Sequence, residues 1–472
     1  MTGAGGGPVL FSRTMAIAPG IFRQYDIRGI VDRDLTTDAA HALGGAYAAY
    51  LAEHQVRGAI AVGRDNRPSG GRLRDALVDG LTGAGVDVVD IGVVPTPLNY
   101  WALNKLPVVG GIQITGSHNP PEYNGFKLSV GTGSLHGDEI QRLYQLTQQP
   151  APTSSRRGTV REEQVIDGYV DDVAQRIGKL SRPIRAVYDC GNGAGSLVAS
   201  QLFARLGLAK GSRGIFCESD GTFPNHHPDP TVPENLEDLI RAVKDDGAEI
   251  GIAFDGDADR IGVVDGNGGI VWGDRILILY ARDVLRRTGP GQPIIFDVKC
   301  SQSLSDAVAR AGGKPLMWKT GHSLIKDKMR ETHAPIAGEM SGHMFFSEGF
   351  YGHDDALYGA ARLLRILADS GQTVAQALAD VPELVATPEI RIEVPEELKF
   401  GLVDRAVAHF RAKHDVIDVD GVRVLFGDGW GLIRASNTQP VIVARYEAAN
   451  EPRLAAIRGE MEGWLRAQGV RV

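Results

Sequence analysis

Short apolar runs, each followed by a window in which apolar residues recur three and four positions apart, repeat along most of the chain. GAIAVGRD (residues 58–65), VDVVDIG (86–92) and VVGGIQIT (108–115) read as strands, with RLRDALVDGLTGAG (72–85) as a helix between the first two. The alternation restarts at IRAVYDC (184–190), a Gly-containing turn and a helix. GIFCES (214–219), the helical ENLEDLIRAVKDDGA (234–248) and the strand EIGIAFDGD (249–257) complete that round. Leu236, Leu239, Ile240 and Val243 fall on one face of that helix. A third round holds VWGDRILILYARDVLRR (271–287), PIIFDVKC (293–300), SLSDAVARAGG (303–313) and KPLMWK (314–319). This is the signature of tandem α/β units.

After Ala386 the pattern changes. EIRIEV, the helix LVDRAVAHFRAKH, and then VIDVDGVRVLF, GWGLIRAS and PVIVARYEA, joined by Asp-Gly turns, predict an antiparallel sheet with helices. The expected division is 1–163, 164–268, 269–385 and 386–472, with QQPAPTSSRRG (148–158) as the clearest linker. At 472 residues the chain is too long for a single core.

Net charge is −8 and no Lys/Arg run occurs, which argues against a nucleic-acid or anionic-membrane surface. No apolar run is long enough to cross a bilayer, and the Gly-rich start lacks a signal-peptide core, so a cytoplasmic protein with a flexible N-terminal extension is expected. Cys190, Cys217 and Cys300 are distant in sequence and suggest neither a disulfide framework nor a zinc site.

Candidate chemistry concentrates in four segments. DGDADR follows an apolar strand and brings Asp255, Asp257 and Asp259 together, hard oxygen ligands that suit Mg²⁺. An EF-hand is excluded by Arg260 and Gly266 at its sixth and twelfth positions, whereas an aspartyl-nucleophile phosphatase stays open on spacing alone. ITGSHNPPEYNGFK (114–127) offers Ser117 as a phosphoryl acceptor and donor, His118 as nucleophile or proton shuttle, and Lys127 to neutralise phosphate. GEMSGH (338–343) sets Glu339, Ser341 and His343 on alternate positions, so that all three can point one way towards sugar hydroxyls. RASNTQP (434–440) combines Arg434 with Ser436, Asn437 and Thr438, a set that suits a phosphate dianion. Near the start Tyr25 and Arg28 precede Arg64 and Arg67; of these arginines only Arg28 is taken as functional. CGNGAGS (190–196) lacks the GK[ST] of a P-loop and reads as close packing.

In their order along the chain, serine loop first, the four segments resemble those of the α-D-phosphohexomutase superfamily, and most of all its bacterial phosphomannomutase/phosphoglucomutase branch, over nearly the whole chain. The resemblance implies four domains around a central cleft, three of similar mixed-sheet α/β design and a last α+β one. It implies Ser117 as a phosphoserine, Mg²⁺ on Asp255, Asp257, Asp259 and one phosphoserine oxygen, and Arg260 beside it. Tyr25, Arg28, Lys127, Lys299 and His322 match cleft positions, and Asn119 completes the serine loop. The implied reaction interconverts hexose 1- and 6-phosphates (mannose, glucose or both) through a hexose 1,6-bisphosphate, with glucose 1,6-bisphosphate as activator, in a monomer or weak dimer. Lys127, His118, His322 and His343 are the candidate proton carriers. Met340 stands where the glucosamine-phosphate branch usually has Gln, so a phosphoglucosamine mutase is the nearer alternative and a silent sugar-phosphate sensor the remote one. Gly116 and Ala258 depart from the commoner Ala and Gly of relatives.

Overall fold

A computed structural model of the chain describes residues 17–150, 152–437 and 439–472. The expected N-terminal extension falls largely on residues 1–16, outside those described, as does Thr438. The first sheet runs Ile27–Ile30, Tyr123–Val130, Val108–Ile114, Ala59–Arg64, Val88–Val93, Val160–Glu162. The second runs Ile270–Val271, Ile261–Asp265, Ile250–Phe254, Ala186–Asp189, Arg213–Ile215, and the third Lys314–Trp318, Pro293–Asp297, Ile336–Gly338, Met344–Phe346. All three are mixed, as the α/β reading with mixed sheets requires.

One device recurs in each. A strand in parallel register turns sharply into an antiparallel neighbour: Ile114 into Tyr123, Phe254 into Ile261, Gly338 into Met344. Ser117, the three aspartates, and Glu339 with His343 all lie in these connections. Buried parallel strands are near-continuously apolar, which is why Ile250–Phe254 and Val108–Ile114 were legible. Polar loops at the ends of such strands are where α/β sheets place their ligands. The fourth sheet is antiparallel, with Val441–Ala448 paired to Gly429–Ala435, Val385–Ala386 and Ile390–Glu393. Helices Glu396–Arg411 and Glu451–Ala467 pack against it. The Arg434 segment is a hairpin loop in that sheet.

One continuous apolar core joins Leu98 and Trp101 of the first unit, Tyr169 and Phe203 of the second, and Ile276 and Leu364 of the third. The fourth unit has its own core around Phe410, Ile433 and Ile457, and meets the rest through a small patch of Val298, Trp430 and Leu432.

Several local expectations are revised. The strand in GIFCES covers only Arg213–Ile215, because Phe216 turns to φ +51°. Ile270–Val271 pairs with the second sheet, two residues beyond the expected edge at 268. The segment read as a linker is tied down: Arg156 pairs with Asp87, and a Cβ on Gly158 would lie 1.9 Å from the Val86 carbonyl. Cys190 and Cys217, distant in sequence, bring their sulfurs to 2.6 Å, and burial holds the Cys190 thiol well above the usual range, where it is a poor nucleophile.

Candidate active site

Ser117 adopts φ +50°, a left-handed conformation that an L-residue takes only when its surroundings enforce it. The enforcement comes from Arg67, which forms the ion pair the sequence allows, with Asp65 at 3.1 Å, and also braces the loop. Its guanidinium, fully buried, donates to the carbonyls of Ser117 at 2.8 Å, Asn119 and Pro120 at 2.5 Å and Tyr123 at 3.0 Å. Asp65 holds the other side, accepting from Thr115 Oγ1 at 2.8 Å and Gly116 N at 3.1 Å. A Cβ at Gly116 would stand 2.5 Å from the Arg67 guanidinium, so glycine there makes room for the brace.

Asp255, Asp257 and Asp259 have no exposed surface, and their carboxylate oxygens lie within 4.8 Å of one another. Ser117 Oγ donates to Asp255 at 3.2 Å. Asp255 also accepts from the backbone of Asp259 and Arg260, curling the loop around it. Asp257 accepts from Thr96 Oγ1 at 2.5 Å and Lys127 Nζ at 2.9 Å, the Thr115 hydroxyl, shared with Asp65, lies 3.1 Å away, and Lys127 also donates to Asp259. Asp257 Oδ1 is buried without a partner, the mark of a carboxylate set that fits a hard cation. Burial and its two acidic neighbours push Asp255 well above the carboxylate range. Burial opposes ionisation of Lys127 too, but Asp257 and Asp259 outweigh it and hold the ammonium charged. CGNGAGS underpins this loop: Gly193 packs on Gly256, and Ala194 N donates to the Gly256 carbonyl at 2.8 Å.

GEMSGH is a turn rather than an extended segment, with Gly342 N donating to Glu339 O, so the alternation expected of Glu339, Ser341 and His343 does not hold. Glu339 and His343 face each other at 2.8 Å across the turn, and Glu339 also accepts from Gly321 N at 2.7 Å. Ser341 stands at the tip, in a small cleft with Thr231 and Trp272. His343 Nε2 reaches Asp259 at 3.1 Å and Arg260 Nε at 3.3 Å. Burial disfavours its charge, but the Asp259 and Glu339 carboxylates prevail and raise it to about 9. His118 Nδ1 lies 3.1 Å from Ser117 Oγ. Desolvation, then Arg260 and Arg28, keep that imidazole well below the histidine range. His322 is likewise depressed, by burial and by Lys326.

Of the remaining residues, Tyr25 and Lys299 bond to the fourth unit. Arg28 pairs with Asp26 and reaches Asn119 Oδ1 at 3.3 Å. Tyr25 Oη donates to Thr320 O at 2.7 Å and accepts from Asn437 Nδ2 at 2.6 Å, joining three units. Gly321, at φ +132°, lets the Tyr25 ring in, since a Cβ there would meet it at 2.6 Å. Arg434 pairs with Asp420 at 2.9 Å, Ser436 is buried next to it, and Lys299 pairs with Glu389 at 2.7 Å.

Sequence profiles of phosphoglucomutase/phosphomannomutase match in order: alpha/beta/alpha domain I over residues 19–153, domain II over 167–269, domain III over 272–385, and the C-terminal domain over 389–463. The chain belongs to this family. It is 47% identical to a phosphomannomutase/phosphoglucomutase of Pseudomonas putida over 94% of this chain and 95% of that one. It is 45% identical to a phosphoglucomutase of Neisseria gonorrhoeae over 96% of this chain and 98% of that one. A solved family structure from Burkholderia thailandensis, 44% identical, superposes with a TM-score of 0.88 over 96% of this chain and 98% of that one.

Beyond the family's four segments, sequence reasoning missed Arg67, Asp65, Thr96 and the buried pair Lys326–Asp354, joined at 3.0 Å beside His322. Arg67 alone carried a signal, two residues from Asp65 in GRDNRPSG, but nothing local says that its partners are four carbonyls up to 56 residues away.

Proposed function

We propose that this chain is a phosphohexomutase that interconverts hexose 1-phosphate and hexose 6-phosphate, mannose or glucose, with Ser117 carrying the transferred phosphoryl group. The observation that carries this is Ser117 Oγ held 3.2 Å from the buried aspartate cluster, on a backbone forced into the left-handed region. The names of relatives at 44–47% identity over almost the full chain support the substrate class.

Phosphorylated Ser117 gives its phosphoryl group to the free hydroxyl of the bound sugar phosphate: the Oγ–P bond breaks, a new O–P bond forms, and the sugar becomes a 1,6-bisphosphate. After the sugar turns over, Ser117 Oγ attacks the other phosphoryl group and releases the isomer. Asp255, Asp257, Asp259 and one phosphoserine oxygen would hold Mg²⁺, which supplies charge neutralisation at the transferring group. Lys127, held charged by its carboxylates, faces the same group as a donor, and His343, whose two ring N–H groups go to Glu339 and Asp259, adds positive charge beside it. His118, 3.1 Å from Ser117 Oγ, is placed to give that oxygen a proton as its phosphoryl group leaves and to take the proton back on the return step. His322, neutral at rest, takes the sugar hydroxyl's proton on the outward step and gives it to the departing sugar oxygen on the return step. Arg434, Ser436, Asn437 and Thr438 hold the non-reacting phosphate, and Glu339, Ser341, Tyr25, Arg28 and Lys299 position the sugar, with Arg260 steadying the phosphoserine. Glucose 1,6-bisphosphate primes Ser117. The separate sheets support a division near residues 163, 268 and 385, and a cytoplasmic monomer or weak dimer completes the reading. Among the described residues no helix is long and apolar enough to cross a membrane.

The test is intact mass with phosphosite mapping before and after glucose 1,6-bisphosphate and Mg²⁺, beside a mutase assay on glucose 1-phosphate and mannose 1-phosphate. A phosphate on Ser117 that tracks activity is expected, with Ser117→Ala lowering turnover at least about 10⁴-fold. Robust turnover by that variant would assign the relay elsewhere.

A further inference from the structure

Cys190 and Cys217, both free thiols, bring their sulfurs into contact at 2.6 Å. The second sheet arranges this. Ala186–Asp189 and Arg213–Ile215 run parallel with Asp189 opposite Ile215, and each cysteine stands just beyond the end of its strand. Cys190 N donates to the Ile215 carbonyl at 3.1 Å and Asn192 N to the Phe216 carbonyl at 2.8 Å, so the pairing continues past the strands. Neighbouring strands lie about 4.8 Å apart, inside the Cα separation of about 4.4–6.8 Å that a disulfide spans. Gly214 makes room for the second sulfur, since a Cβ there would stand 2.5 Å from Cys217 Sγ.

The two thiols differ in access. Cys190 has no exposed surface, and burial holds it in the thiol form. Cys217 is half-buried and is followed by the exposed Glu218 and Ser219. An oxidant arriving from solvent therefore meets Cys217 first, with Cys190 in contact behind it. Cys300, fully buried and donating to Asp297 at 3.1 Å, is an internal control.

The turn that begins at Cys190 supports the reaction centre. Gly193 lies so close to the aspartate loop that a Cβ on it would stand 2.7 Å from the Gly256 carbonyl, and a Cβ on Gly256 would collide with the Ser117 carbonyl. Asn192 O accepts from Asn66 Nδ2 at 2.6 Å, and Asn66 adjoins the Arg67 brace. Backbone packed on backbone thus leads from Cys190 to Ser117, with no long side chain between them to absorb a shift.

We propose that Cys190 and Cys217 are a modification site, a dithiol that a peroxide converts reversibly into a disulfide, loosening the aspartate loop and lowering phosphoryl transfer at Ser117. Cys217 Sγ attacks one peroxide oxygen and the O–O bond breaks. The sulfur is oxidised to a sulfenic acid, and the departing oxygen, taking the thiol proton, leaves as water. Cys190 Sγ then attacks the Cys217 sulfur, the S–O bond breaks, and the Cys190 proton leaves in a second water as the S–S bond forms. Contact between the sulfurs offsets the low reactivity of the buried thiol. A dithiol reductant reverses the change. The effect on turnover rests on the function proposed above, whereas the bond does not.

Reduced protein treated with hydrogen peroxide is followed by intact mass, non-reducing peptide mapping, Mg²⁺ calorimetry and turnover of glucose 1-phosphate. Loss of two hydrogens per chain is expected, with Cys190 linked to Cys217 and Cys300 free. Mg²⁺ affinity and turnover should each fall at least about threefold and recover with dithiothreitol. That recovery sets the effect apart from methionine sulfoxide, whose repair needs a dedicated reductase. Cys217→Ser, outside the reaction centre, should turn over like the reduced protein and lose the peroxide response. A Cys217 sulfinate beside free Cys190, or a link between two chains, would overturn the disulfide. A mapped bond that leaves Mg²⁺ affinity and turnover unchanged would overturn its coupling to the site. If the bond and the Mg²⁺ change appear in a protein whose reduced form has no mutase turnover, the modification site stands and the proposed function falls.

Discussion

Lys127 and Arg434 are both buried cations facing the cleft, yet they are held differently. Lys127 reaches Asp257 and Asp259 of the neighbouring unit, and although its own strand packs in a core confined to the first unit, a second, larger core joins helix Thr96–Lys105 of that unit to the second and third. Arg434 belongs to a unit with a core of its own, joined to the rest by three buried apolar side chains and a ring of polar links: Asn437 to Tyr25, Glu389 to Lys299, and Arg423 to the Val298 and Cys300 carbonyls. The difference teaches where geometry is fixed and where it is free to change. Phosphoryl transfer depends on positioning and charge, so its groups sit on a welded base. The proposed phosphate clamp sits on a unit whose attachment is polar and small, the kind of junction across which domains move. Solution scattering with and without substrate should therefore show compaction, assigned to the fourth unit.

The welded side breaks hardest. Lys127→Met leaves two buried aspartates without their cation, and losing one partner of a buried pair costs about 3–5 kcal/mol. Added Mg²⁺ should restore part of that loss, because the same oxygens can be neutralised by a divalent ion. Urea unfolding with and without Mg²⁺ checks both. A loss below about 1 kcal/mol would mean that the aspartates are satisfied without Lys127.

At the junction the cost moves from stability to function. Arg423 is fully buried, donates to Val298 O at 2.8 Å and Cys300 O at 2.6 Å, and lies 3.7 Å over Trp430. Arg423→Met leaves carbonyls of the third unit unpaired, for about 1–3 kcal/mol. It should raise KM for the sugar phosphate by about tenfold with little change in phosphorylation of Ser117. A fall in Ser117 phosphorylation equal to the fall in kcat/KM would show instead that the two regions are one rigid body.

The same junction should respond to acid. Lys299 beside it, against the opposing effect of burial, draws Glu389 down to about 2 from its ordinary 4.5. A carboxylate depressed in the folded state stabilises above its unfolded pKa and loses that contribution as pH falls through the folded one. Stability should thus decline between about pH 4.5 and 2, and Glu389→Gln should flatten that part of the curve in thermal unfolding.

The comparison also explains what sequence made legible. Strands such as Ile250–Phe254, buried on both faces, announce themselves by composition, and the aspartates that follow are adjacent in sequence as well as space. Ser117, Arg434 and the aspartates could be proposed from sequence because each motif is a single loop. Arg67 could not, because what it braces is four backbone carbonyls, which have no residue identity to read. Lys326 with Asp354, and Cys190 with Cys217, meet only through tertiary packing. Glu339, Ser341 and His343 misled because alternation presumes an extended chain, and Gly342 at φ +94° folds it into a turn.

The smallest expected effect separates strain held for function from strain merely tolerated. Ala258 in the aspartate loop has φ +57°, close to that of Ser117, and is fully buried. Ala258→Gly relieves about 1–2 kcal/mol of left-handed strain. It also removes a buried methyl group, about 0.8 kcal/mol, and adds freedom to the unfolded chain, about 0.5–1 kcal/mol. These terms cancel to within about 1 kcal/mol, so denaturant midpoints should barely move. Ala258→Val keeps the strain and adds a branched side chain where a Cβ at Gly195 would already stand 3.2 Å away. It should destabilise by more than 1 kcal/mol. If glycine instead stabilised the protein by about 2 kcal/mol while weakening Mg²⁺ binding, the strain at Ala258 would be part of how the loop holds its carboxylates together.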